Sequence, residues 1–182
     1  MPVIAAVARL CAQDPTVKDR LRVRFLGATD APGSEAHGRR DTLGLQTVIE
    51  FLPRVSRRES LYQMRRAGAL LILQAGLTLA IPGKLYEYFA AGRPVLALCD
   101  EGEMADLIRT NHAGLVVDPS SEEAIAQALT TVMTGFERTW TPTVPALYDG
   151  RLRAAEMTAI LESAIRRRVE ETGAMTEERA DV

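Results

Sequence analysis

Apolar positions along the chain alternate between short runs of β type and longer stretches of helical spacing, the pattern of βαβ units feeding a mostly parallel sheet. Five strands are predicted, at residues 22–26, 47–52, 69–73, 94–98 and 115–117. Three of them are near-continuous apolar segments, as expected of strands buried on both faces. Between them lie helices with readable ends. Ser56 stands three residues before Glu59, and Ser120 three before Glu123, the capping-box spacing in which a hydroxyl accepts from an otherwise unpaired amide. The first box opens a helix to about residue 66 and the second one to about residue 133. A helix over residues 84–91 stops at Gly92, which takes a left-handed cap, with Pro94 just beyond to prevent continuation.

Residues 2–12 read as a helix with Ile4, Val7, Ala8 and Cys11 on one face, so the chain opens on a crossover helix with no strand before it. Residues 29–40, holding Pro32, Gly33 and Gly38, read as a surface loop, and 140–145 as a linker into a last helix over 150–170. Residues 1–170 form one domain on this reading, and 171–182 a polar, frayed tail.

Composition narrows the function classes. With 182 residues, 47% hydrophobic and 25% charged, the chain is an ordinary globular one rather than a disordered or coiled-coil sequence. A net charge of −2 excludes a broadly basic nucleic-acid surface. The longest near-continuous apolar run, residues 67–81, is interrupted by Gly68, Gln74, Gly76 and Thr78 and is too short to span a bilayer. The apolar opening lacks a basic leader and a cleavage site, which points to a cytoplasmic protein. Cys11 and Cys99 read as small buried apolar residues. His37 and His112, the two histidines, have no ligand-type neighbours at metal-binding spacing, so no metal site is expected. Of 22 basic residues only Lys18 and Lys84 are lysine, which makes each lysine conspicuous.

Lys84 falls in the first turn of its helix, where the exposed amides already carry partial positive charge. A cation there makes sense if an anion occupies the site: the amides and the ammonium then converge on a phosphate, and Gly83 lets the backbone approach closely. Glu87 lies three residues on, and its carboxylate can accept two hydrogen bonds from a vicinal diol such as a ribose. The competing reading is a plain i, i+3 ion pair between Lys84 and Glu87 on a solvated face. The loop before this helix follows a parallel strand, the end at which open α/β sheets bind ligands.

The run from Ile81 to Leu98 closely resembles the nucleotide-sugar-binding motif of family 4 (group 1) glycosyltransferases, in which a lysine is followed by a glutamate and aromatic, small residues, glycine and proline. The resemblance extends, less specifically, to about Ala164. It implies a Rossmann-like parallel sheet with flanking helices, one half of a GT-B fold. It also implies transfer of a sugar from a nucleoside-diphosphate donor of UDP or GDP type, with no cofactor and no metal. By the same analogy Lys84 contacts the diphosphate and Glu87 the ribose hydroxyls, Arg54 and Val55 border the base, and Ile81, Pro82 and Gly83 lie beside the sugar. No catalytic residue can be named. Two positions depart from the family pattern: Leu79 stands where many relatives carry a second glutamate, and Pro53 replaces a common glycine.

In the 3-2-1-4-5-6 strand order of such a sheet the first strand is central, and no segment here corresponds to it. Two half-sheets with unpaired inner edges and an apolar slot are therefore expected. An acceptor-binding domain, in cis or in trans, is the partner this reading requires. Arg57, Arg58, Arg65 and Arg66 offer a peripheral contact with an anionic membrane at the inner face, against the simpler reading of a solvated helix face. The alternative function is a non-catalytic nucleotide or nucleotide-sugar binding module, or an inactive fragment, which the loss of an acidic residue at Leu79 would fit.

Overall fold

The computed structural model describes residues 1–27, 34–135 and 150–177. All five predicted strands form, each within two residues of its expected limits: β1 (Val23–Leu26), β2 (Ile49–Leu52), β3 (Leu70–Gln74), β4 (Val95–Cys99) and β5 (Gly114–Val117). Every pairing is parallel, and the strands make two sheets rather than one, β1-β2 and β3-β4-β5. The register sets Val23 beside Ile49, Leu70 beside Val95 and Val95 beside Gly114.

The helices are α1 (Pro2–Gln13), α2 (Val17–Arg20), α3 (Glu35–Thr42), α4 (Arg57–Arg66), α5 (Gly83–Ala91), α6 (Glu103–Thr110), α7 (Glu122–Met133) and α8 (Gly150–Glu177). The Ser56 cap forms as expected, its hydroxyl accepting from the Glu59 amide at 3.2 Å. At α7 the cap is one residue later than the spacing suggested. Ser121 accepts from the Ala124 amide, while Ser120 is occupied by its own turn, donating from its amide and hydroxyl to the Asp118 carboxylate. That turn holds the Asp118 carboxyl below the usual carboxylate range. Gly92 ends α5 with φ 66° and ψ 38°, the left-handed cap.

The expected loop over 29–40 is corrected in its second half, where α3 begins at Glu35. Tertiary contacts hold this short polar helix against β2: the His37 ring lies 4.3 Å from Phe51, the Arg40 guanidinium sits 5.3 Å over the same ring, and Ala36 is buried. The expected linker over 140–145 lies outside the described residues. The last helix continues to Glu177, past the limit of 170 that its polarity suggested. It belongs to a second compact unit, Val144–Val182, separate from Met1–Thr143.

One hydrophobic core joins the two half-sheets. Val3, Ile4 and Val7 of α1, at 0–1% exposure, share it with Ile125 and Leu129 of α7, Val23 and Ile49 of the first half-sheet, and Leu96, Leu98 and Val117 of the second. Cys11 and Cys99 are buried free thiols whose pKa is raised by that burial. At the opening of β5, Gly114 approaches β4 so closely that a methyl group would overlap the Val95 carbonyl. Gly114→Ala is therefore expected to lower unfolding stability by about 2 kcal/mol or more, because the obstacle is backbone and cannot rotate away. Gly92→Ala, which meets open space, costs only the left-handed conformation, about 1 kcal/mol. Urea unfolding of the two variants side by side checks the difference.

Candidate functional site

The segment from Ile81 to Glu87 connects a strand end to a helix start, and its chemistry follows from how α5 begins. Pro82 is the N-cap residue and supplies no side-chain acceptor, and the first turn holds no acidic residue. Residues that usually quiet a helix N-terminus are thus absent from this one. Gly83 opens the helix, and the Leu85 amide turns back to the Pro82 carbonyl at 2.9 Å. Lys84 is exposed and has no carboxylate within ion-pair distance among the described residues.

Glu87 is half-buried and does not pair with Lys84. Its carboxylate lies 3.6 Å from Arg57 on α4, whose side chain is 82% exposed. The simple Lys84–Glu87 ion pair does not form: among the described residues Lys84 has no carboxylate partner, and the glutamate is met from the neighbouring helix. Being this exposed, the Arg57 contact positions the carboxylate more than it stabilises the fold. Beneath the site Tyr88 is buried, its phenol pKa raised by burial and then by the charge of Glu87.

Ile81 and Pro82 are half-buried at the foot of the loop, while Leu79 is 85% exposed. Arg54 is exposed and Val55 half-buried in the connection from β2 to α4. Among the described residues neither has a hydrogen bond or ion pair to α5; Arg57, the first residue of α4, makes a link from that side. The structure thus places Ile81, Pro82, Gly83, Lys84 and Glu87 in one continuous turn, with Arg54 and Val55 on the adjoining connection.

A family model described as Glycosyl transferases group 1 matches residues 2–135. The chain belongs to this family. A D-inositol 3-phosphate glycosyltransferase from Geodermatophilus obscurus is 27% identical, aligned over 90% of this chain and 39% of its own length. Among solved structures, WaaG, a glycosyltransferase involved in lipopolysaccharide biosynthesis, superimposes with a TM-score of 0.59 at 23% identity, over 75% of this chain and 34% of WaaG. A UDP-forming α,α-trehalose-phosphate synthase from Burkholderia vietnamiensis gives 0.52 at 16% identity, over 72% and 33%. The α/β fold with parallel strands flanked by helices is therefore that of part of a GT-B glycosyltransferase. The group 1 chain spans well under half the length of each of these relatives.

Three residues that hold the site escaped the sequence reading. The loop over 75–82 would be a loose glycine-containing stretch but for its ties. The Gln74 side-chain amide donates to the Leu77 and Ala80 carbonyls at 3.1 and 2.7 Å. The Gly76 amide donates to Asp100 at 2.6 Å, and the Glu103 amide to the Thr78 carbonyl at 2.9 Å. Gly102 permits that last approach, since a methyl group there would overlap the Thr78 carbonyl. A polar residue ending β3 and an Asp-x-Gly following β4 were the available signals. Asp100→Ala is expected to raise the exchange rate of the Gly76 amide about tenfold while amides of β4 stay protected, as measured by hydrogen exchange.

Proposed function

We propose that this group 1 chain is the donor-binding half of a glycosyltransferase, taking a nucleoside-diphosphate sugar and working with a partner domain that holds the acceptor. The observation that carries the reading is the exposed Lys84 ammonium, with no carboxylate partner among the described residues, at the uncapped, acid-free start of α5. A helix N-terminus and an ammonium repel each other, and a diphosphate between them relieves both. Glu87, held by Arg57, would accept from the ribose hydroxyls, and Arg54 and Val55 would border the base. Ile81, Pro82 and Gly83 would lie beside the sugar, where the small residue leaves room.

In the reaction the bond between the anomeric carbon and the diphosphate oxygen breaks, its electron pair staying on that oxygen. The acceptor hydroxyl oxygen bonds to the carbon, and its proton passes to solvent. Lys84 and the first amides of α5 oppose the charge that gathers on the leaving diphosphate, an effect worth about 3 kcal/mol when a donor is well placed. The assignment gives this charge to the protein's own groups and not to a bound metal ion.

Titration calorimetry of the chain with UDP and GDP tests the site. Saturable binding of one of them is expected, weakened about 10- to 100-fold by Lys84→Ala and about tenfold by Glu87→Ala, and unchanged by EDTA. Folded protein that binds neither nucleotide overturns the reading. A non-catalytic nucleotide module remains the second reading, favoured by the exposed Leu79 in place of a second acidic residue; it predicts nucleotide binding without sugar transfer when the acceptor domain is restored. We also infer peripheral contact with an anionic membrane through the exposed Arg57, Arg58, Arg65 and Arg66 of α4. Co-sedimentation with anionic vesicles at low salt, lost at high salt, is the expected outcome; protein remaining in the supernatant at low salt refutes it.

A further inference from the structure

Glu87 is oriented from outside its own helix. One turn away on α5 its neighbours are Gly83, Lys84, Ala90 and Ala91, and among the described residues the cation within ion-pair distance is Arg57, across on α4. The start of α4 is itself fixed. Ser56 caps that helix by accepting from the Glu59 amide at 3.2 Å, which makes Arg57 its first residue. The two helices are tied again further along, where the Arg93 side chain, just past α5, donates to the Arg65 carbonyl of α4 at 2.8 Å. The orientation of the Glu87 carboxylate is therefore set by the spacing of two helices joined at two points, not by α5 alone.

At 3.6 Å this contact is an ion pair beyond hydrogen-bonding range, so it orients the carboxylate without occupying one of its acceptor positions. The Glu87 side chain is also 41% exposed, which leaves the group within reach of a ligand. A carboxylate accepts at two oxygens, and a vicinal diol engages both only when the plane of the group is held. A single hydroxyl is satisfied by either oxygen at many rotations. Arg57 thus bears on how many hydroxyls the site can hold at once more than on the strength of any one bond. Without it the Glu87 side chain regains rotamer freedom that a diol must then remove on binding.

We propose that Arg57 is a positioning residue that makes the site prefer ribonucleotides to 2′-deoxyribonucleotides, acting through Glu87 and not by touching the ligand. This rests on the donor-site reading, in which Glu87 takes the ribose hydroxyls. Both hydroxyls of a ribose engage the held carboxylate, whereas a 2′-deoxy sugar offers one and gains little from its being held. Base and diphosphate are the same in the two series, so Lys84 treats them alike and the sugar hydroxyl alone separates them. Because the contact acts through charge and not through a paired fork of hydrogen bonds, a lysine at position 57 can replace the arginine. An ion pair this exposed adds little to folding, so its loss is read in ligand preference and not in stability.

Titration calorimetry of the full chain with UDP and GDP, each beside its 2′-deoxy counterpart, reads the preference as a ratio of affinities. A ratio of about tenfold is expected for the unaltered chain, falling to about threefold or less in Arg57→Ala and recovering in Arg57→Lys, while Lys84→Ala weakens both forms by the same factor. Glu87→Ala is expected to abolish the ratio. A ratio lost in Glu87→Ala but kept in Arg57→Ala overturns the proposal and leaves the donor site standing. Equal weakening of both forms by Arg57→Ala also overturns it, since the guanidinium then meets the phosphate or the base. Failure of Arg57→Lys to restore the ratio does the same, assigning the effect to an altered helix start. No ratio in the unaltered chain, or one that survives Glu87→Ala, removes the ribose role of Glu87 and the proposal with it; no nucleotide bound at all overturns the donor-site reading as a whole.

Discussion

The molecule depends on a hydrophobic layer that does the work a continuous sheet would otherwise do. The two half-sheets share no strand pairing, yet they stand in one unit because α1 and α7 pack beneath both. Ile4, Val7 and Ile125 are sealed from water, and each contributes burial worth about 1.5–3 kcal/mol before entropy is counted. Backbone hydrogen bonding builds each half, and a shared apolar core joins the two. The half-sheets therefore keep their places although, among the described residues, no strand pairing joins β1 to β3.

On that platform the site is assembled from the ends of strands. β3 ends at Gln74, whose side chain folds the following loop back on itself, and β4 ends beside Asp100, which ties the same loop from the other direction. The loop then delivers Pro82 to the start of α5 in an extended conformation, leaving the helix uncapped. Arg57 reaches over from α4 and holds Glu87 away from Lys84. Among the described residues no carboxylate then meets the cation, and the Glu87 carboxylate is oriented from α4, two conditions that a simple intrahelical pair would have cancelled.

Much of this was legible in the chain itself. Continuous apolar runs located the strands because a parallel sheet buried on both faces leaves no other pattern, and Gly92 with Pro94 marked the end of α5 through backbone conformation alone. Reading failed where distant residues decide. α3 is polar and short, and exists because His37 and Arg40 lie on Phe51. The α7 cap moved to Ser121 because Asp118 claimed Ser120. Asp100 and Gly102 matter through contacts with Gly76 and Thr78, on a loop far earlier in the chain, and neither periodicity nor spacing reports those. Arg57 stood in a doublet of arginines that looked like ordinary surface, and only the approach of α4 to α5 gave it a partner.

The arrangement of the core also sets an order of assembly. Within each half-sheet the paired strands are successive in sequence, β1 with β2 and β3 with β4 and β5, each pair joined by one helix-bearing crossover. The contact of α1 with α7 is of another kind, joining the first and the last of the described helices in the unit across the chain between them. Non-local contacts of that sort are slow to find. Two locally built halves waiting for one long-range clasp imply that the late step in folding is the docking of terminal helices, with the inner edges of both halves exposed until it is complete.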